Sequence, residues 1–189
     1  MQKLHIPVIV GTTRPGRQSL PVAQFIFEIM SKIDNITTEL VDPKDFNLPF
    51  DGNDIENKDP KYTQITDKAD GFFVVVPEYN HSFPGSLKRL LDSELKNYNH
   101  KPVAFAGVSA GPWGGTRAIE SLVSAVREMG LIATYTDVQF PFVGKLVGED
   151  GKITDEKYTQ RVMKSIDELV WMAQTLKWGR ENIEKEKIN

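Results

Sequence analysis

Residues 72–76 read Phe-Phe-Val-Val-Val, and this run determines the fold class that we predict. Every position is apolar, which is typical of a parallel strand covered on both faces of its sheet. A similar run follows at residues 103–108, and residues 4–10 form another, which ends at a glycine. Residues 36–41 and 131–142 predict a second and a fifth strand in chain order. The chain is therefore expected to contain five strands.

Segments of helical period separate the predicted strands. Apolar residues at positions i, i+4, i+7, i+8 and i+11 predict a helix that begins near Ser19. Further helices are expected over residues 85–95, 119–129 and 155–176, whereas residues 42–60, rich in proline, asparagine and acids, predict a long loop. Alternating strands and helices indicate an α/β fold, in which helices cover both faces of an open parallel sheet.

Length and charge limit the possible functions. A chain of 189 residues fits a single domain, which we place at residues 1–176, with a charged and solvated tail at residues 177–189. The chain has 23 Lys and Arg against 26 Asp and Glu. This balance argues against a nucleic-acid partner, because binding to a phosphate backbone needs a basic face.

The absence of cysteine and of long apolar stretches excludes further classes of function and location. Without Cys the chain has no disulfide framework, no thiol nucleophile and no Cys-ligated metal, and no other metal site is predicted. No stretch approaches the roughly 20 apolar residues of a membrane span. The apolar run at residues 4–10 is too short for a signal peptide. We therefore expect a cytoplasmic protein with no membrane partner.

Three loops follow predicted strands, at the edge where open parallel sheets bind ligands. The first, residues 11–19, reads GTTRPGRQS and leads into a helix. Its glycines, hydroxyls and arginines are typical of an anion site, because backbone N–H groups and the helix dipole face a bound phosphate. Neither the Walker A motif nor the Gly-x-Gly-x-x-Gly motif is present. A solvated turn with surface arginines is the alternative.

The other two loops differ in chemistry. Residues 77–86, PEYNHSFPGS, combine aromatic, amide, carboxyl and hydroxyl groups between two prolines, which suits a flat heteroaromatic ring. Residues 109–117, SAGPWGGTR, contain glycines that would let backbone N–H groups approach the ring and stabilise negative charge on it. Ordinary β–α turns are the alternative for both. Together the loops predict a ligand with a phosphate at one end and a flat ring at the other, as in flavin mononucleotide (FMN).

The motifs at residues 11–19, 77–88 and 109–117 resemble those of the NADPH-dependent FMN reductase family. The resemblance covers roughly residues 4–175 and implies a flavodoxin-like three-layer sandwich with strand order 2-1-3-4-5. It also implies FMN as cofactor, NADPH or NADH as reductant, and a homodimer or homotetramer with the flavin near the interface. The residues that would bind the cofactor by this resemblance are Thr12, Arg14, Arg17, Ser19, Pro77, Glu78, Tyr79, Asn80, Ser109, Gly111, Gly114 and Gly115.

The implied function is hydride transfer from NADPH to bound FMN and onward to a small acceptor, which could be a quinone, an azo dye, a free flavin or an oxidised metal ion. The chemistry belongs to the cofactor, so no catalytic residue is assigned, and His81 is left without a defined role. The alternatives are a flavodoxin-like electron carrier and a flavin-based redox sensor. The modest net charge of −3 and the arginine at position 14 argue against a carrier.

Overall fold

The computed structural model describes residues 3–48 and 58–183. Its eight strand segments are β1 (Leu4–His5), β2 (Val8–Val10), β3 (Ile36–Thr37), β4 (Leu40–Val41), β5 (Phe72–Pro77), β6 (Lys101–Val108), β7 (Leu131–Ala133) and β8 (Val138–Phe140). Its five α-helices are α1 (Ser19–Met30), α2 (Pro60–Lys68), α3 (Gly85–Asp92), α4 (Thr116–Glu128) and α5 (Glu156–Asn182).

The main sheet is parallel, with the order β4-β2-β5-β6-β7 and with β8 also paired to β6. Val75 in β5 pairs with Val10 on one side and with Ala106 on the other. When the strand segments are grouped by the five predicted strands, the order is 2-1-3-4-5. The flavodoxin-like α/β class is therefore confirmed.

The number of strand segments differs from the five predicted, because three of the predicted strands are each split in two. Pro7 separates β1 from β2, and proline has no N–H to donate to a strand ladder. The opposite strand is divided at the same level, between β3 and β4, where the Thr38 hydroxyl donates to the Ile6 carbonyl at 2.7 Å. The short pair β1–β3 therefore forms a separate two-stranded sheet.

Two apolar clusters cover the two faces of the sheet. Side chains of α1 and α5 pack with Phe73 and Val75 on one face, and side chains of α2, α3 and α4 pack with Phe72 and Val74 on the other. Both faces of β5 are therefore buried, as its uninterrupted apolar run predicts.

Helix α2 begins where the sequence predicted a loop as far as residue 60. Asp59 caps this helix by accepting a hydrogen bond from the Lys61 N–H at 2.9 Å, and Pro60 occupies its first position. An acidic cap followed by proline is a recognised start signal for a helix, so the sequence contained the information. Earlier in the same segment, Pro43–Asp45 form a single 3₁₀ turn, and residues 49–57 lie outside the described residues.

The predicted tail at residues 177–189 does not start at the end of a helix, because residues 177–182 continue α5. The buried Asp70 carboxylate holds this extension, because it accepts hydrogen bonds from Lys177 Nζ at 2.8 Å and from Arg180 Nη2 at 3.3 Å. Its other oxygen accepts from the His5 N–H at 3.0 Å. The last turns of α5 therefore belong to the folded domain.

We expect Asp70→Asn to lower the free energy of unfolding by about 1–3 kcal/mol, because hydrogen bonds to a charged acceptor are weakened and two cations lose the buried carboxylate that they share. Urea unfolding measures this loss. The matched control is Glu181→Gln, since Glu181 is exposed and lies 3.7 Å from Lys177, and we expect it to change stability by less than about 0.5 kcal/mol. Equal effects of the two variants would contradict the role of Asp70.

Asp137, between β7 and β8, makes stability depend on pH. Burial, with a smaller contribution from the charge of Glu120, raises the pKa of Asp137 from 3.8 to about 6. Between these values the native state binds more protons at Asp137 than the unfolded state does, so the contribution of Asp137 to stability is complete below pH 4 and is lost as pH rises through 6.

We expect the stability of Asp137→Asn relative to wild type to increase between pH 4 and 6 and to level off above that range. Urea unfolding at a series of pH values measures this difference. Glu120→Gln should weaken the trend without removing it, because burial is the larger cause of the shift. If the difference in stability between Asp137→Asn and wild type does not change with pH, the pKa of Asp137 does not cause the pH dependence.

Candidate active site

A cavity of about 310 Å³ lies at the carboxyl ends of β2, β5 and β6. Its wall comes from residues 14–19, 77–79 and 108–110, together with Val143. The fold therefore brings the three loops singled out from the sequence to one place, at the edge of the sheet where parallel α/β proteins bind their ligands.

The first loop leaves β2 in close contact with β5. The Gly11 N–H donates to the Val75 carbonyl at 2.8 Å, and a Cβ at Gly11 would lie 2.4 Å from that oxygen. Only glycine permits this approach. The next residue, Thr12, is buried, and its Oγ1 accepts from the Arg14 N–H at 3.3 Å and lies 3.4 Å from the Tyr79 hydroxyl. These contacts define the turn that precedes α1.

The two arginines of this loop have different environments. Arg17 pairs with Asp42 and donates to the Thr12 carbonyl at 2.9 Å, and its side chain is only 7% exposed. Arg14 is exposed at the cavity, with its guanidinium carbon 5.6 Å from the centre of the Tyr79 ring. Among the described residues, no carboxylate pairs with Arg14. Arg17 therefore stabilises the loop, and Arg14 has its charge available to a ligand.

Ser19 and Glu78 belong to the cavity wall, and each carries a buried polar atom. Ser19 Oγ, in the first turn of α1, and Glu78 Oε2 are buried and have no hydrogen-bond partner among the described residues. Such atoms are rare in native proteins, because an unpaired buried polar group is unfavourable. A hydroxyl at a helix N-terminus beside an arginine suits a phosphate, and a carboxylate oxygen suits an N–H at the rim of a ring.

The second loop forms a tight turn. Tyr79 and Ser82 exchange backbone hydrogen bonds of 2.9 and 3.0 Å, while Asn80 and His81 between them have φ values of 50° and 66°. This left-handed pair is typical of a type I′ turn, in which asparagine is favoured. Pro77, Glu78 and Tyr79 line the cavity, whereas Asn80 is exposed and lies outside its described lining.

Arg117, in the first turn of α4, connects the second loop to the third. Its Nε donates to Glu78 Oε1 at 2.7 Å, and its Nη1 lies 2.8 Å from His81 Nε2. A guanidinium only donates, so His81 Nε2 is the acceptor of this hydrogen bond. His81 therefore helps to hold the turn against the start of α4.

The third loop lines the cavity through Ser109 and Ala110. Ser109 Oγ donates to the Gly111 carbonyl at 2.9 Å, and Gly111 also accepts from the Phe142 N–H at 3.0 Å. Among the described residues, Gly111 itself is not part of the cavity wall. The chain after β8 therefore fixes the conformation of this loop.

Gly114 and Gly115, within the third loop, are buried and are not among the described residues of the cavity wall. A Cβ on Gly114 would lie 2.7 Å from Gln139 Cβ, and one on Gly115 would lie 2.3 Å from the Val108 nitrogen. The sequence predicted that the missing side chains at these positions make room for a ligand. The structure shows that they make room for close packing of β6 and β8. Ligand contact through their N–H groups stays a prediction.

Val143 is a wall residue that the sequence interpretation missed. It follows β8 and is held by a hydrogen bond of 3.1 Å from its N–H to the Ser109 carbonyl. The signal was available, because the end of the fifth predicted strand must lie at the same edge of the sheet as the ends of the others.

The strand order, and a cavity formed by three loops at the carboxyl ends of β2, β5 and β6, define a protein of the flavodoxin-like class. The family described as NADPH-dependent FMN reductase matches residues 4–143, and the chain belongs to that family. None of the described helices is both long enough and apolar enough to cross a membrane.

Individual relatives agree with this assignment. The chain is 28% identical to an NADPH azoreductase of a Bacillus species over 81% of its own length and 84% of the relative. It is also 28% identical to a quinone reductase of Pseudomonas putida, over 82% and 87% of the two chains. The fold is similar to that of the flavoenzyme NAD(P)H:(acceptor) oxidoreductase FerB of Paracoccus denitrificans, with a TM-score of 0.74, 21% identity and coverage of 91% and 98%. The protein is an NAD(P)H-dependent, FMN-containing oxidoreductase.

Proposed function

We propose that this enzyme uses NADPH or NADH to reduce small quinone or azo acceptors, with FMN held in the cavity between the three loops. The observation that carries the cofactor assignment is that two residues of one cavity wall, Ser19 and Glu78, each hold a buried polar atom, Oγ and Oε2, with no hydrogen-bond partner among the described residues. The names of the relatives, quinone reductase and azoreductase, support the choice of acceptors. When bound, FMN supplies the redox chemistry, and the protein supplies position and electrostatics.

The phosphate end of the site is formed by the first loop. Arg14 would contribute its charge, Ser19 its hydroxyl, and the first turn of α1 its free N–H groups and dipole. Thr12 and Arg17 would act indirectly, because their polar groups already have partners within the protein. Arg17 is paired with Asp42, and Thr12 Oγ1 accepts from the Arg14 N–H. These two residues position the groups that bind.

The ring end is bounded by Pro77, Tyr79 and the backbone of Ser109 and Ala110, with Val143 as an apolar wall. Glu78 Oε2 would accept an N–H from the rim of the ring, while Glu78 Oε1 is held by Arg117. These residues orient the ring and exclude water from its covered side. No described side chain is required as a general acid or base.

We infer that the enzyme is a homodimer or homotetramer. Large aromatic side chains are exposed in the third loop, between β7 and β8 and on α5: Trp113, Tyr135, Trp171 and Trp178 are each at least 60% exposed. Trp171 and Trp178 are separated by two helical turns and share a face of α5, and an exposed apolar face favours association with another chain. Sedimentation velocity would test this inference, and a single species at the monomer mass of 21.3 kDa would contradict it.

Cytoplasmic location stays a prediction, which fractionation of the source cells would test.

A visible absorption spectrum tests the proposed function directly. Purified protein is mixed with FMN, made anaerobic and treated with NADPH, and then 2-methyl-1,4-naphthoquinone or an azo dye is added. We expect bound flavin, rapid loss of its absorbance, and recovery when the acceptor is present. Bound flavin that stays oxidised would favour the electron carrier or the sensor, and a partner-dependent electron-transfer assay would separate those two.

A further inference from the structure

A second cavity lies at the opposite edge of the sheet from the flavin site. It has a volume of about 680 Å³ and is enclosed by the end of α2, by residues 96–101 and by the last turns of α5. Its size is within the range of about 300–1,000 Å³ that is typical of small-molecule sites. The sequence motifs and the proposed function leave this cavity unused.

Lys101, the first residue of β6, is a buried cation in the wall of this cavity, with a relative exposure of 8%. Its Nζ donates to the Thr66 carbonyl at 2.8 Å and to the Asp67 carbonyl at 3.2 Å, at the end of α2. An ammonium has three N–H donors, and no carboxylate oxygen pairs with Lys101 among the described residues. Burial, followed by the charge of Arg180, lowers the pKa of Lys101 to about 8.

Arg180 places a second cation in the same wall. Its guanidinium donates to the His100 carbonyl at 2.7 Å and to Asp70 Oδ1 at 3.3 Å. The same Asp70 oxygen also accepts from Lys177 at 2.8 Å, and Glu181 lies 3.7 Å from that lysine, so Arg180 shares the Asp70 carboxylate. Lys101 has no carboxylate partner among the described residues, so an anion in this cavity would interact favourably with both Lys101 and Arg180.

The charge of this wall contrasts with that of the whole chain. The described lining contains three cationic side chains, those of Lys96, Lys101 and Arg180, against the single carboxylate of Asp67, while the chain has a net charge of −3. The same wall has an apolar part, formed by Leu176 and Ile183 near the end of α5. A cationic region beside an apolar one suits an organic anion.

We propose that this cavity binds a small organic phosphate, with the phosphate group at Lys101 and Arg180 and the apolar part against Leu176 and Ile183. Arginine and lysine are the side chains that proteins use for phosphate, the first through its fork of donors and the second as a point charge. The site is separate from the flavin cavity, because Lys101 starts β6 and Val108, in the flavin cavity wall, ends it.

Calorimetric titration of the FMN-saturated enzyme with phenyl phosphate tests the proposal. Bound FMN fills the phosphate site at α1, so binding there is excluded. We expect saturable binding of one phenyl phosphate per chain and no binding of benzyl alcohol, which has the same ring without the charge. The absence of saturable binding would overturn the proposed site, and binding that is equally tight for benzoate would overturn its assignment to phosphate.

Substitution of single lysines tests where phenyl phosphate binds. Lys101→Met should raise the dissociation constant for phenyl phosphate by about tenfold or more, because a hydrogen bond between two charged groups is lost. The matched control is Lys68→Met, since Lys68 is exposed in the last turn of α2 and, among the described lining residues, is not part of the cavity. An unchanged dissociation constant in Lys101→Met would overturn the proposal.

A second measurement avoids any dependence on the folding of a variant. Wild-type enzyme is acetylated with acetic anhydride, with and without phenyl phosphate, and the rate at each lysine is followed by mass spectrometry. We expect phenyl phosphate to slow acetylation of Lys101 and to leave that of Lys68 unchanged. Equal rates at Lys101 in both conditions would contradict a phosphate bound beside its ammonium.

Discussion

Gly115→Ala is expected to lower the free energy of unfolding by about 2–5 kcal/mol, because it combines a left-handed backbone with severe crowding. Gly115 has φ of +83°, and an added Cβ would lie 2.3 Å from the Val108 nitrogen and 2.6 Å from the Gly107 carbonyl carbon. The neighbouring atoms are backbone of β6, so they cannot move without disturbing the centre of the sheet. Urea unfolding followed by far-UV circular dichroism measures the loss.

Gly151→Ala is the matched control for this prediction. Gly151 has a similar φ of +77°, but nothing lies within 4 Å of an added Cβ. We expect only the backbone contribution there, about 1–2 kcal/mol. If both variants lose the same stability, close packing against β6 is not the reason for glycine at position 115.

Arg14→Ala is expected to raise the dissociation constant for FMN by roughly tenfold to 150-fold, which corresponds to about 1.5–3 kcal/mol for a charged hydrogen bond. Among the described residues, Arg14 lines the cavity and pairs with no carboxylate, so its charge is available to the phosphate. Titration of the flavin-free protein with FMN, followed by flavin fluorescence, measures the change. The melting temperature of the flavin-free variant should stay close to that of wild type, because Arg14 is exposed.

Two other arginines make this prediction specific. Arg127→Ala removes the same charge from the last turn of α4, at the opposite end of that helix from the site, and should leave FMN binding unchanged. Arg17→Ala should lower the melting temperature of the flavin-free protein as well as FMN affinity, because Arg17 holds the loop through Asp42 and the Thr12 carbonyl. An unchanged dissociation constant in Arg14→Ala would remove Arg14 from the phosphate site.

Local patterns in the sequence were sufficient for the fold class and for the position of the site. An apolar run such as residues 72–76 is stable only when both faces of the strand are covered, so it predicts a parallel sheet between helices. The ends of such strands lie at one edge, and this is why three loops separated by up to about a hundred residues could be assigned to one cavity. The family resemblance rests on the same loops.

The roles of individual residues depended on contacts between distant parts of the chain. Arg14 and Arg17 look equivalent in the sequence and both line the cavity, and only the position of Asp42 shows that the charge of Arg17 is paired. In the same way, Gly115 serves packing because β6 lies against it. The last turns of α5 are ordered because Asp70 accepts from Lys177, 107 residues away in the chain. Periodicity and composition describe neighbours along the chain, whereas these partners are set by the packing of helices on the sheet.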